Sequence, residues 1–136
     1  MRKLTTLAVT GALFFGGMGA AVAGGWSPVP TLKTTGAVFV DGAYKWEPKG
    51  KNHGGFHFKG NLADAKKGDG NNVYMQVRVE GYSWNRLNGK QGKTVHLDKI
   101  VYDGAAQYTR KAWIRTCRDR GSLHPDNCSY TKRYAR

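Results

Sequence analysis

The residues best equipped for chemistry in this chain lie near its C-terminal end. Between residues 108 and 136, Arg110, Lys111, Arg115, Arg118, Arg120, Lys132, Arg133 and Arg136 are balanced only by Asp119 and Asp126. Arginine outnumbers lysine six to two there. A guanidinium fork grips phosphate or carboxylate through two parallel hydrogen bonds, whereas lysine offers a point charge. Tyr108, Trp113, Tyr130 and Tyr134 are interleaved with these cations, supplying rings on which sugars or bases stack. The pattern points to a surface for an anionic polymer: teichoic acid, an acidic polysaccharide, nucleic acid or an anionic membrane surface. An equally weighted alternative is a solvated edge hairpin whose charges block edge-to-edge pairing. A formal charge of +13 also simply keeps a protein in solution.

Two details of strand parity decide what that surface presents. If Ala112 and Ile114 point inward, Lys111, Trp113 and Arg115 form an exposed cation–aromatic–cation row. If Trp113 and Cys117 point inward, the row dissolves, and packing of a tryptophan beside a disulfide favours this second arrangement. Upstream, Tyr74, Tyr82 and Trp84 share the parity opposite to Val73, Met75, Val77 and Val79. Continued without interruption, that strand would expose an aromatic row beside Arg78. A covering sheet or a bulge at Gly81 is the favoured alternative, since glycine inside a strand commonly marks one. The candidate binding set is therefore Arg110, Lys111, Trp113, Arg115, Arg118, Arg120, Lys132 and Arg133, with Tyr82 and Trp84.

Metal and catalytic signatures are weak, and no cofactor is expected. His53 and His57 are four apart, but Gly54 and Gly55 oppose a helix, and on a strand four residues span about 13 Å. Asp64, Asp69, Asn71 and Asn72 resemble a calcium loop in composition alone, because Met75 occupies the position that needs a bidentate carboxylate. His96 falls inside a strand and His124 beside Pro125. No nucleophile elbow, phosphate-cradling loop or cysteine nucleophile occurs, so the chain reads as a non-enzyme. One minor catalytic reading is a small basic ribonuclease in which Glu80, Arg78 and His57 converge on one sheet face. A stronger rival is a secreted ligand or protease-inhibitor-like domain that presents residues 118–127, with Leu123 or an arginine at the tip, to another protein.

These residues need elements to hold them. Arg2 and Lys3 precede an apolar run from Leu4 to Val22, and Ala21 and Ala23 flank Val22 in the small-residue pattern of a cleavage site. Residues 1–23 are therefore expected to be a secretory signal, leaving 24–136 as one extracellular domain with no transmembrane segment. In that setting Cys117 and Cys128 are expected to form a single disulfide, closing a loop worth about 3 kcal/mol on the chain-entropy model. Residues 24–34 read as an extended arm, because Pro28 and Pro30 cannot donate to a ladder. Asp41-Gly42 reads as a hairpin turn between two short strands. Phe56, Phe58 and Leu62 alternate with His57, Lys59 and Asn61, and the valines of 73–79 alternate with polar residues, a period of two. Turns follow at Leu87–Lys93 and at Asp103-Gly104. About seven strands with no convincing helix imply an all-β fold, an antiparallel sandwich or small barrel with one disulfide.

The F-H-F-x-G-x-L-x-D run at Phe56–Asp64, the turn at Asp69-Gly70 and the C-R-D…D-N-C hairpin from Cys117 to Cys128 resemble small secreted proteins of filamentous actinobacteria. The resemblance implies an extracellular β-sandwich and brings no activity with it.

Overall fold

The computed structural model describes residues 25–136, so the expected signal segment 1–23 lies outside the described residues. Ten strands follow one another: β1 (Ser27–Val29), β2 (Leu32–Thr34), β3 (Ala37–Trp46), β4 (Phe56–Asp64), β5 (Asn72–Val79), β6 (Asn85–Asn88), β7 (Thr94–Val101), β8 (Lys111–Asp119), β9 (Asn127–Cys128) and β10 (Lys132–Ala135). All pairings are antiparallel and make two five-stranded sheets. One sheet runs β1-β3-β4-β7 with β2 also on β3; the other runs β10-β8-β5-β6 with β9 also on β8. Apart from one 3-10 turn at Asn52–Gly54, the described residues hold no helix.

The alternation seen in sequence sets which side of each sheet is dry. Phe39, Phe56, Phe58 and Leu62 from the first sheet meet Val73, Met75, Val77, Val79, Ala112 and Ile114 from the second, and these ten side chains form the middle of the core. Polar residues at the intervening positions turn to the two outer faces, as one-sided burial of an antiparallel sheet requires.

Two expectations about elements are corrected. Asp41-Gly42 is a bulge inside one continuous strand, where the β3–β4 register slips between Val40 and Ala43. Asp41 takes φ 56°, and a Cβ on Gly42 would stand 2.6 Å from the Phe39 ring. The extra residue flips the parity, so Phe39 before it and Tyr44 and Trp46 after it all face the core. Within the segment expected to be an extended arm, β1 and β2 pair with the two halves of β3 along its edge, where a proline that cannot donate is tolerated. The region expected to open a turn at Leu87 instead carries β6, paired with β5 from Tyr74↔Asn88 to Val77↔Asn85.

The disulfide is present. Cys117 and Cys128 face each other across β8 and β9, with Cα atoms 4.0 Å apart, and the bond closes the loop 118–127. Both β9 and β10 lie on the same edge of β8, against its two ends.

Candidate functional site

The outer face of the second sheet is built from four adjacent strands. Ala112 and Ile114 point inward and are fully buried. Lys111, Trp113 and Arg115 therefore face outward, against the expectation that packing would draw Trp113 into the core. Arg133 on β10 stands opposite Trp113, and Trp113 stands opposite Arg78 on β5. Trp84 reaches the same row by another route. The chain reverses after Val79, where Tyr82 donates its N–H to the Val79 carbonyl and Gly81 takes φ 86°. β6 then returns along β5 and brings Trp84, just before Asn85, over Arg78. Neither the continuous aromatic strand nor the expected bulge is formed; a reverse turn replaces both.

The result is a band, Arg133–Trp113–Arg78–Trp84, crossing the sheet. The Arg78 guanidinium lies 3.9 Å from the Trp113 ring centre and 5.3 Å from that of Trp84. Arg115 lies 4.4 Å from Trp84 and donates through Nε to Gln76 Oε1 at 2.8 Å. Beyond it, Arg86 covers the Tyr74 ring at 3.8 Å and pairs with Asp119 at 2.7 Å. A guanidinium held over a ring keeps its in-plane N–H groups for an oxyanion. Among the described residues Arg78 spends none on a protein acceptor, Arg115 gives one to Gln76, and Arg86 is engaged by Asn88 and Asp119. Among the described residues, Arg86 and Arg118 are the only Lys or Arg side chains with a carboxylate within 4.0 Å. Glu80, at the end of this face, accepts backbone N–H groups from Arg110 and Lys111.

The expected binding set divides accordingly. Trp84, Lys111, Trp113, Arg115 and Arg133 share the band and its borders. Arg118 leaves the set: it donates to Asn127 and Asp69, and its side chain packs where a Cβ on Gly36 would be, joining the two sheets. Tyr82 sits in the turn with its hydroxyl bonded to Asp103, which raises its pKa. Lys132 stands opposite inward-facing Ile114. Arg110 is exposed ahead of β8 and Arg120 lies in the loop after it. Arg136 is structural, donating to the carbonyls of Glu47, Gly54 and Thr109. Arg78, Gln76 and Arg86 complete the face, and the valine alternation of β5 already placed the first two on its outer side.

The opposite face behaves differently. His57 on β4 meets Glu47 Oε2 through Nδ1 at 3.0 Å and Asp98 Oδ1 through Nε2 at 2.6 Å. Trp26 stands edge-on to His57, ring centres 4.7 Å apart, with Lys59 and Lys45 at 4.2 and 4.8 Å from its centre. Burial would raise the Glu47 carboxyl, but hydrogen bonds from Asn52 and His57 and the charges of His57 and Lys45 outweigh it and hold the pKa below its ordinary 4.5. With both ring nitrogens engaged, His57 ties β4 to β7 and to the turn after β3. It lies across the sandwich from Arg78 and Glu80, so the convergence that a ribonuclease reading required does not occur. His53 is bound to the Ala106 carbonyl through Nδ1 and stacks on Tyr102. Asp64 accepts the N–H groups of Lys66 and Gly92, and Asp69 those of Asn71 and Arg118. Among the described residues no group of three His, Cys, Asp or Glu is placed to hold a metal ion, and no helix is long and apolar enough to cross a membrane. Comparison with protein-family models, with curated proteins and with solved structures finds no match to this chain.

Proposed function

We propose that the protein works outside the cell as a non-enzymatic binding module for an anionic polymer, held across the outer face of the β10-β8-β5-β6 sheet. The observation that carries this reading is the Arg133–Trp113–Arg78–Trp84 band, whose arginines have no carboxylate partner. An open sheet face with cations spaced one strand apart suits a repeating charged chain better than a compact ligand. Stacking also orders the guanidinium groups before binding, which lowers the entropy lost on association. Two guanidinium groups lie over Trp84 and one over Trp113, so the face works chiefly through charge and hydrogen bonds. A disulfide in the described chain accords with an oxidising, extracellular setting.

Titration with polyphosphate over a range of ionic strengths tests this. The logarithm of the binding constant should fall linearly with the logarithm of salt, and Arg78→Gln with Arg115→Gln should lower that slope by about 2. Binding indifferent to salt, or untouched by the double substitution, would remove the face from consideration.

A second reading has its own observation. Leu123 is 89% exposed on a loop pinned by the disulfide, by Asp126 accepting Arg120 N–H and the Tyr74 hydroxyl, and by Asp119 accepting Gly121 N–H. Such a preformed loop suits insertion into a protease or receptor. Binding of that kind would survive high salt and be lost on Leu123→Ala.

A further inference from the structure

Six residues along the same outer face from Arg78↔Trp113, about 20 Å away, the β5–β8 ladder ends at Asn72↔Asp119. There a cavity of about 350 Å³ opens, lined by Gly70, Asn71, Asn72, Gln91, Asp119 and Gly121. Three carboxamides surround it, and no aliphatic or aromatic side chain does. Each amide offers both donors and an acceptor, the same dual character as a sugar hydroxyl. Asp119 is already committed to Arg86 and to the Gly121 N–H, so the cavity has no free carboxylate to draw a metal ion. It has no lysine or arginine of its own to draw a second anion. Asn72 Oδ1, on its border, is buried with no hydrogen-bond partner among the described residues. That atom is sealed from the cavity as it stands, so Asn71, Gln91 and the remaining amide groups of the lining are what a hydroxyl meets.

Resting on the anionic-polymer reading, we infer that the ligand is an acidic polysaccharide: its charged groups lie along Arg115, Arg78 and Arg133, and an uncharged sugar seats its hydroxyls in the cavity at Asn71, Asn72 and Gln91. A polyphosphate has no such neutral hydroxyl-bearing unit for the cavity. A nucleic acid wants open ring faces for its bases, and here two guanidinium groups already lie over Trp84 and one over Trp113.

Hyaluronan oligosaccharides of graded length, in which acidic and neutral sugars alternate, test this against polyphosphate. Affinity for hyaluronan should rise steeply once the chain spans the distance from band to cavity. Asn71→Ala with Gln91→Ala should weaken hyaluronan about tenfold and leave polyphosphate within about twofold. Gln91 is exposed and Asn71 half-buried, and an unchanged melting temperature would show that the variant folds. If polyphosphate binds and hyaluronan does not, or if the cavity variant affects both probes equally or neither while Arg78→Gln weakens both, the sugar inference falls and the anionic face stands. If neither probe binds the unaltered protein, the face itself is wrong.

Discussion

The two outer faces of the sandwich carry similar ingredients and use them in opposite ways. On the β1-β3-β4-β7 sheet, Trp26 is enclosed by Lys45, Lys59 and His57, and His57 is itself spent on Glu47 and Asp98. On the other sheet Trp84 and Trp113 are interleaved with Arg78 and Arg115, which no carboxylate neutralises. A cation beside a ring is therefore not informative by itself. Among the described residues Lys45 and Lys59 also lack a carboxylate within 4.0 Å. But Glu47 feels the charge of Lys45 and Asp98 stands opposite Lys59, so what separates the two faces is whether carboxylates share the ground with the cations.

The largest expected effect tests the support of the arginine face. Cys117→Ser with Cys128→Ser should destabilise the fold by about 3 kcal/mol, and reductant should lower the melting temperature of the unaltered protein as far as the double substitution does. No loss in either case would mean that the bridge is not what clamps the 118–127 loop. Next, Arg78→Gln with Arg115→Gln should weaken polyanion binding by about 2 kcal/mol, roughly thirtyfold, whereas Lys45→Gln with Lys59→Gln should change it less than about threefold. Equal losses from the two pairs, measured by calorimetry at one salt concentration, would erase the distinction between the faces.

A smaller effect should mark the opposite face. Because the Glu47 pKa is depressed on folding, its contribution is fully present above the ordinary value of 4.5 and is lost as pH falls through the folded value. Glu47→Gln should lower stability at neutral pH by about 1 kcal/mol and reduce the acid dependence of the melting temperature; an acid limb identical to that of the unaltered protein would contradict the assignment. The smallest effect belongs to Tyr74 beneath Arg86. Burial, followed by its bond to Asp126 and that carboxylate's charge, pushes the hydroxyl from 10.0 to about 12. The raised value stabilises the fold below pH 10, and that contribution is lost as pH climbs towards 12. Burial raises Tyr134 as well, so a spectrophotometric titration should show a late phase shared by several tyrosines, and Tyr74→Phe should remove one tyrosine's amplitude from it.

Alternation made the core legible. The period of two in Phe56–Leu62 and Val73–Val79 picked out side chains that are all fully buried, as did the inward option for Ala112 and Ile114. Cysteine count and spacing were enough to read the disulfide. Asp41-Gly42 misled because the same dipeptide serves a turn or a bulge, and only the Phe39 contact and the pairing with β4 choose between them. Arg118 misled for a related reason: one residue past Cys117 on β8, it takes the inward parity and spans to Asp69 and Asn127, partners 49 and 9 positions away in sequence.

Local pattern thus determined that the chain is all-β, which residues are dry, and that its end is rich in arginine, because propensity and two-residue periodicity act over short stretches. Tertiary structure decided which of those arginines are free. That depends on Asp69, which arrives from the β4–β5 loop to hold Arg118, on the carbonyls of Glu47, Gly54 and Thr109 that hold Arg136, and on the turn after Val79 that folds Trp84 back over Arg78. Charge pairing between distant segments is a property of the assembled sheets, and no window along the chain contains it.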